Sequence, residues 1–477
     1  MRLLSGLWAV GCALWVGVAL AQDPTGVIAK PTKQETFESP KFGTVHVYIP
    51  ESGIKQVALF ADGDGGWNLG INDMAQLLAN EGTLVAGIST LPYLEKLSAS
   101  SEKCGYMAAD FEDLGHAVEK RYALKSYTLP TLVGYSSGAS LVYAALAQAP
   151  KGTFRGAVTL GFCDDLADTH AICRGRGLAT KLNPKKTASL LTPMKDLGEP
   201  WTALQGDSDQ ACSLAELQAF TKDIQSAKAV GLEKVGHGFQ SGKRWHRPYV
   251  SAFLDLQKST APPPLPAEVS DLPVIEVAAT QARAGSRTDL LAVLITGDGG
   301  WAGLDRDVAA GLADANIPVA ALSSLKYFWE AKTPEQTAHD IERIVDHYSA
   351  KWNRERVLLV GYSFGANVLP AVVRALSPSM RGRVDRVALI GLEPKASFEI
   401  HVTGWLGEVT GERPVLPDIQ YASQAQIPVI CLRGEEEKDS YCPSLPATLS
   451  RSVVLPGGHH FNGDYAALVR AILAATN

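Results

Sequence analysis

The stretch RVLLVGYSFGAN, Arg356 to Asn367, carries an apolar β-rich run into a helix-forming run through a Gly-x-Ser-x-Gly turn. TLPTLVGYSSGAS, Thr128 to Ser140, does the same earlier in the chain. One such turn can be a plain strand-to-helix corner, with a small residue where two backbones approach closely. Two of them, each between a strand-like and a helix-like run, require an architectural reason.

The flanking sequence supplies it. VALFADGDGGW (57–67) matches LLAVLITGDGGW (290–301), and INDMAQLLANEGTLVAGIST (71–90) matches LDRDVAAGLADANIPVAALSS (304–324). The closing strands agree as well: PWTALQGDSD (200–209) with PVICLRGEEE (428–437), and LEKVGHGF (232–239) with VLPGGHHF (454–461). Strands alternating with helices in this way predict a mostly parallel sheet covered on both faces. The expected fold class is therefore α/β, a tandem duplication of one compact unit.

The boundaries follow from composition. Met1-Arg2, an apolar run and Ala19-Leu20-Ala21 read as a secretory signal over 1–21. A lipoprotein signal at Cys12 or an uncleaved anchor is the competing reading. A polar arm is expected at 22–41, a first domain at 42–257, a Pro-rich linker at 258–273 and a second domain at 274–477. The 477 residues are too many for one ordinary core. A net charge of -6 gives no support to nucleic-acid binding. Without Cys12, six cysteines remain, an even number that suggests disulfides in an exported chain. Cys431 and Cys442 form the natural pair of the second half, while Cys104, Cys163, Cys173 and Cys212 allow three connectivities. No Cys/His spacing points to zinc, and GDGGW lacks the Lys and Ser/Thr of a P-loop, so no metal or cofactor is expected.

Both halves carry a serine, an acid and a histidine in the chain order of an α/β-hydrolase, in which Gly-x-Ser-x-Gly forms the nucleophile elbow. In the second half Ser363 is the candidate nucleophile and His459, aligned with His237, the candidate base; His460 is its neighbour. The acid has two candidates. Anchoring on the shared D-x-x-C spacing pairs Asp439 with Asp209 and is preferred; counting from the glycine pairs Glu437 with Asp209 instead. Ser363 becomes nucleophilic only when the imidazole takes its proton, and a carboxylate fixes the useful tautomer. Oxyanion donors are expected at the amides of Phe364 and of Asp298 or Gly299. Ser136, Asp209 and His237 form a second candidate site in the first half.

At this point the second half resembles the bacterial VirJ/AcvB virulence factors. The resemblance rests on LITGDGGWAGLD, VAALSSLKYFWEAKTPEQTAHDIERIVDHY, VLLVGYSFGAN and VVLPGGHHFNGDY, of which the KYFW segment is the most specific. The extra unit upstream is similar to the longer, two-domain AcvB form. The resemblance implies a periplasmic α/β-hydrolase that cleaves the aminoacyl ester of aminoacyl-phosphatidylglycerol, particularly lysyl-phosphatidylglycerol. It also implies, as partner, an aminoacylated phospholipid at the membrane surface. For a cationic aminoacyl group, Asp298, Glu330, Glu435, Glu436 and, if Asp439 is the acid, Glu437 are the candidate carboxylates. His401 and Trp405 are candidates to line the acyl pocket. Two alternatives stay open: a general carboxylesterase, and a non-catalytic binding or chaperone module with secretion-system or virulence proteins as partners.

Overall fold

The computed structural model describes residues 32–240, 242–259, 267–280, 287–401 and 412–474. The expected signal at 1–21 with Cys12, Trp405 and residues 260–266 of the expected linker lie outside the described residues.

The first unit is an eight-stranded sheet of β1 (Thr32–Ser39), β2 (Gly43–Pro50), β3 (Gln56–Ala61), β4 (Thr83–Ile88), β5 (Thr131–Tyr135), β6 (Gly156–Leu160), β7 (Trp201–Gly206) and β8 (Ala227–Leu232). Its strand order is β1-β2-β4-β3-β5-β6-β7-β8. The two pairs involving β2 are antiparallel and the remaining pairs are parallel. The second unit repeats the plan from the second strand onward. It comprises β9 (Val274–Val277), β10 (Leu290–Ile295), β11 (Val319–Leu322), β12 (Arg356–Tyr362), β13 (Val384–Ile390), β14 (Val429–Gly434) and β15 (Arg451–Leu455), in the order β9-β11-β10-β12-β13-β14-β15. Only the β9–β11 pair is antiparallel. The central strands QVALFA and LLAVLI are buried at every residue, as a parallel sheet sandwiched between helices requires. Each unit has the α/β-hydrolase fold, and the chain is a tandem duplication of it.

Two expected boundaries shift. Residues 32–39, read from their polar composition as part of an arm, are the edge strand β1. Phe37 and Ser39 turn inward while their neighbours face out, which a polar sequence hides. The second unit also begins earlier than residue 274, because Val269 and Leu272 of the expected linker are buried in its core.

All six cysteines past Cys12 are paired. Cys431–Cys442 forms as expected, and the first unit takes Cys104–Cys173 and Cys163–Cys212.

The two units dock through α1 (Met107–Arg121) and the chain that follows it. Tyr127 of the first unit lies within the second unit's hydrophobic core. Trp329, from the KYFW segment, is only 2% exposed; its indole donates to the Leu124 carbonyl at 2.7 Å and lies 5.4 Å from the Tyr127 ring. Lys120 sits over the Trp329 ring at 4.7 Å and pairs with Glu399 at 3.1 Å. Beside them, burial pushes the His116 imidazole down to about 4, so it is neutral in this seam.

Candidate active site

Both elbows are built alike. Ser363 follows β12 and precedes α2 (Phe364–Ala375), with φ 52° and ψ −114°; Ser136 has φ 55° and ψ −123°. Serine tolerates this left-handed strain only where its surroundings enforce it. The glycines are steric necessities: a Cβ on Gly361 would sit 2.5 Å from the Gly365 carbonyl oxygen, and one on Gly365 2.1 Å from that of Ile295. Gly134 and Gly138 face the same limits, at 2.3 and 2.2 Å.

In the second unit His459 Nδ1 lies 2.5 Å from Glu437 Oε1. The acid facing the histidine is therefore Glu437 and not Asp439, whose side chain is exposed. The reason lies at the end of β14, where a Cβ on Gly434 would meet the Gly458 carbonyl at 2.2 Å. The equivalent Gly206 meets that of Val235 at 2.0 Å. Each acid loop is thus locked to its histidine loop at this glycine, and the acid follows it at equal spacing in both units. The cysteine anchor misleads because Cys442 bonds to Cys431 whereas Cys212 bonds to Cys163.

Charge tunes the pair. The Glu437 hydrogen bond holds the His459 pKa above its ordinary value, against burial and with help from Asp298 and Glu393. Burial pushes the Glu437 carboxyl up, but the hydrogen bonds from His459 and the Gly434 amide outweigh it and leave the pKa lowered. Burial and the neighbouring His459 push His460 down; its Nδ1 lies 3.2 Å from the Tyr362 hydroxyl. Tyr362, just before Ser363, also donates to the His459 carbonyl at 3.5 Å, as Tyr135 does to that of His237 at 3.0 Å. These tyrosines bolt the histidine loop to the elbow, a role not read from the sequence.

Of the expected oxyanion donors, Phe364 supplies the first amide of α2, which has no acceptor within its own helix. The Gly299 amide is engaged by Asp298 Oδ1 at 3.1 Å. The Asp298 amide has no acceptor among the described residues.

The first unit assembles a full triad: Ser136 Oγ to His237 Nε2 at 2.9 Å, and His237 Nδ1 to Asp209 Oδ2 at 2.8 Å. Ser363, in contrast, makes no side-chain hydrogen bond among the described residues. It opens instead on a cleft of about 880 Å³ between the units. The second unit lines this cleft with Asp298, Asp305, Arg306, Ser363, His459 and His460, and the first with Glu112, Lys151 and Arg176 among others. Glu330, Glu435 and Glu436 are exposed and do not line it. His401 hydrogen-bonds Ser397 at 3.0 Å and stands outside it.

Sequence reasoning missed the first unit's share. The stripe Ala108, Glu112, His116 and Lys120, one residue per helical turn on α1, was its only signal.

The model of the bacterial virulence protein family VirJ matches residues 55–162 and 289–477. No curated protein matches the chain. Similar solved structures include Est1E from Butyrivibrio proteoclasticus, at 13% identity and TM-score 0.32 over 47% of this chain and 99% of its own. The esterase domain of a Rhodothermus marinus protein gives 13% and 0.33 over 48% and 99%. An alpha-beta serine hydrolase homologue from Coxiella burnetii gives 15% and 0.31 over 48% and 97%.

Proposed function

The chain belongs to the VirJ family of bacterial virulence proteins, and from that premise we propose that it is a periplasmic serine esterase. It removes the aminoacyl group of aminoacyl-phosphatidylglycerol, with lysyl-phosphatidylglycerol the leading substrate. The observation that carries this reading is His459, held by Glu437 and facing the same cleft as the strained Ser363.

The chemistry is acyl transfer. Ser363 Oγ attacks the ester carbonyl as His459 takes its proton, and Glu437 stabilises the imidazolium that forms. The Phe364 and Asp298 amides receive the oxyanion. The imidazolium returns its proton to the departing glycerol oxygen, and water, activated by the same histidine, releases the amino acid and frees the serine.

Two features favour a lipid surface and an exported location. A small three-stranded sheet in the first unit exposes Lys181, Lys185 and Lys186 beside Leu182, itself 46% exposed. Cations flanking an apolar side chain suit an anionic bilayer. The same excursion carries Arg176 into the cleft. Three disulfides suit an oxidising compartment.

The test uses purified protein and vesicles of aminoacyl-phosphatidylglycerol. Ser363→Ala abolishes amino-acid release; unchanged release rejects the site. The assembled Ser136–His237–Asp209 triad supports a second esterase reading, in which Ser136→Ala lowers turnover of short soluble esters. Unaltered turnover of those esters in Ser136→Ala rules that reading out.

A further inference from the structure

The geometry points to a division of labour across the cleft: the second unit performs the chemistry, and Glu112 of the first unit, set with Asp298 and Asp305, holds the ammonium of the acyl group. This deepens the esterase reading and rests on Ser363 as the nucleophile.

Glu112 projects from α1 into the space shared with Ser363 and His459. Its Oε1 would lie 3.6 Å from a Cβ at Gly299, so it sits directly over the Gly-rich turn. No hydrogen bond or ion pair engages this carboxyl among the described residues. Burial, then Asp298 and Asp113, push it up to about 8. Asp305 lines the same cleft at 3% exposure, and its Oδ1 has no hydrogen-bond partner. Burial pushes its pKa well up too, against the pull of the Gly297 and Asp305 amides on the carboxyl, and Asp298 adds to the rise. Glu112, Asp298, Asp305 and His459 line the one cleft, and the Asp298 charge reaches both Glu112 and His459.

Asp298 stands within electrostatic reach of both Glu112 and Asp305, and carboxyls so placed in a partly dry site without a cation are unfavourable in the empty protein. A ligand cation reverses that balance. Among the described residues no group of three His, Cys, Asp or Glu side chains is arranged to hold a metal ion. A primary ammonium, with three donors spread around one nitrogen, suits carboxylates contributed from separate elements.

The cleft also carries a basic set, Lys151, Arg176 and Arg306. Asp196 engages Lys151 and Arg176 at 3.3 and 3.0 Å, while Arg176 Nη1 is buried without a partner. The matching ligand is an ester with an ammonium on its acyl side and an anionic group on its alcohol side.

The test takes the full chain in a Ser363→Ala background, so that binding is read without turnover. The probes are a soluble aminoacyl ester of glycerol phosphate and its N-acetylated counterpart, measured by calorimetry. The free-amine probe binds about tenfold more tightly, the scale of one charged hydrogen bond. Glu112→Gln collapses that ratio towards one. Asp305→Asn, the second variant, lowers it as well and carries the test if Glu112→Gln does not fold. A preference that survives both substitutions, or that is missing before either is made, overturns this inference while leaving hydrolysis by the unsubstituted protein intact. Absent hydrolysis together with an amine preference that Glu112→Gln abolishes sinks the esterase reading alone.

Discussion

Replacing Glu437 by Gln while replacing Asp439 by Asn in a parallel variant separates the two acids that the sequence offers. The Glu437 carboxylate accepts from His459 Nδ1 at 2.5 Å, which fixes Nε2 as the proton acceptor and stabilises the imidazolium formed during attack. An amide there can present its NH₂ to the ring and favour the wrong tautomer. Loss of such a carboxylate lowers kcat by roughly 10³ to 10⁴, equal to ~4–5.5 kcal/mol at ~1.36 kcal/mol per decade. Asp439 is exposed, and its substitution stays within about twofold, as for a surface position. The pH profile adds a signed check. The Glu437 hydrogen bond holds His459 above the ordinary imidazole value of 6.5, against burial. The base works only when neutral, so kcat/KM of the native protein rises with pH through that raised pKa. Glu437→Gln removes the largest of the groups that hold the pKa up and leaves burial against only Asp298 and Glu393, so the rising limb moves to lower pH while the plateau drops. Initial rates of amino-acid release across the pH range measure both effects. Activity of Glu437→Gln within about tenfold of native, or an equal loss in Asp439→Asn, refutes the assignment.

Two further expectations concern stability. Gly365→Ala places a methyl 2.1 Å from the Ile295 carbonyl oxygen and costs about 3 kcal/mol or more in urea unfolding. Gly458→Ala, where a Cβ meets nothing within 4 Å, changes stability by about 0.5 kcal/mol or less. Trp329→Ala removes the indole from the seam at a cost of about 3–5 kcal/mol. It also exposes the junction between the units to limited proteolysis and lowers kcat/KM; unaltered cleavage and kinetics would show that the seam does not shape the cleft.

Much of the architecture was legible because sterics wrote it into the chain. The elbow glycines cannot carry side chains, so Gly361, Gly365 and their counterparts mark both nucleophile corners. The histidine loops were legible from a shared pattern instead, Gly236, His237 and Phe239 against Gly458, His459 and Phe461. The acid was misread where a chemical coincidence, two D-x-x-C spacings, outweighed a steric constant, the glycine ending each acid strand. Cysteines can change partners between duplicated units, but a backbone pressed against a backbone cannot. β1 escaped notice because an edge strand exposes one face and needs few apolar residues. The cleft was illegible for a different reason. It exists only once the units dock, and a stripe such as Glu112, His116 and Lys120 reads as an ordinary solvated face until a partner surface is known. Trp329 lay inside the most specific segment of the sequence, yet nothing in that segment says that it latches the other unit.

The Cys104–Cys173 bond bears on that docked surface. Cys104 lies just ahead of α1, which carries Glu112, and Cys173 just ahead of Gly175 and Arg176. The Gly105 amide donates to Ala171 at 2.8 Å, and the Cys173 amide returns the bond to Gly105 at 3.0 Å. Two walls of the cleft, distant in the chain, are thereby riveted into one plate, whereas Ser363, His459 and Glu437 owe nothing to that rivet. Thiol reduction would slacken the fingers that grip the ester before it blunted the blade that cuts it, so discrimination among esters would fade ahead of turnover.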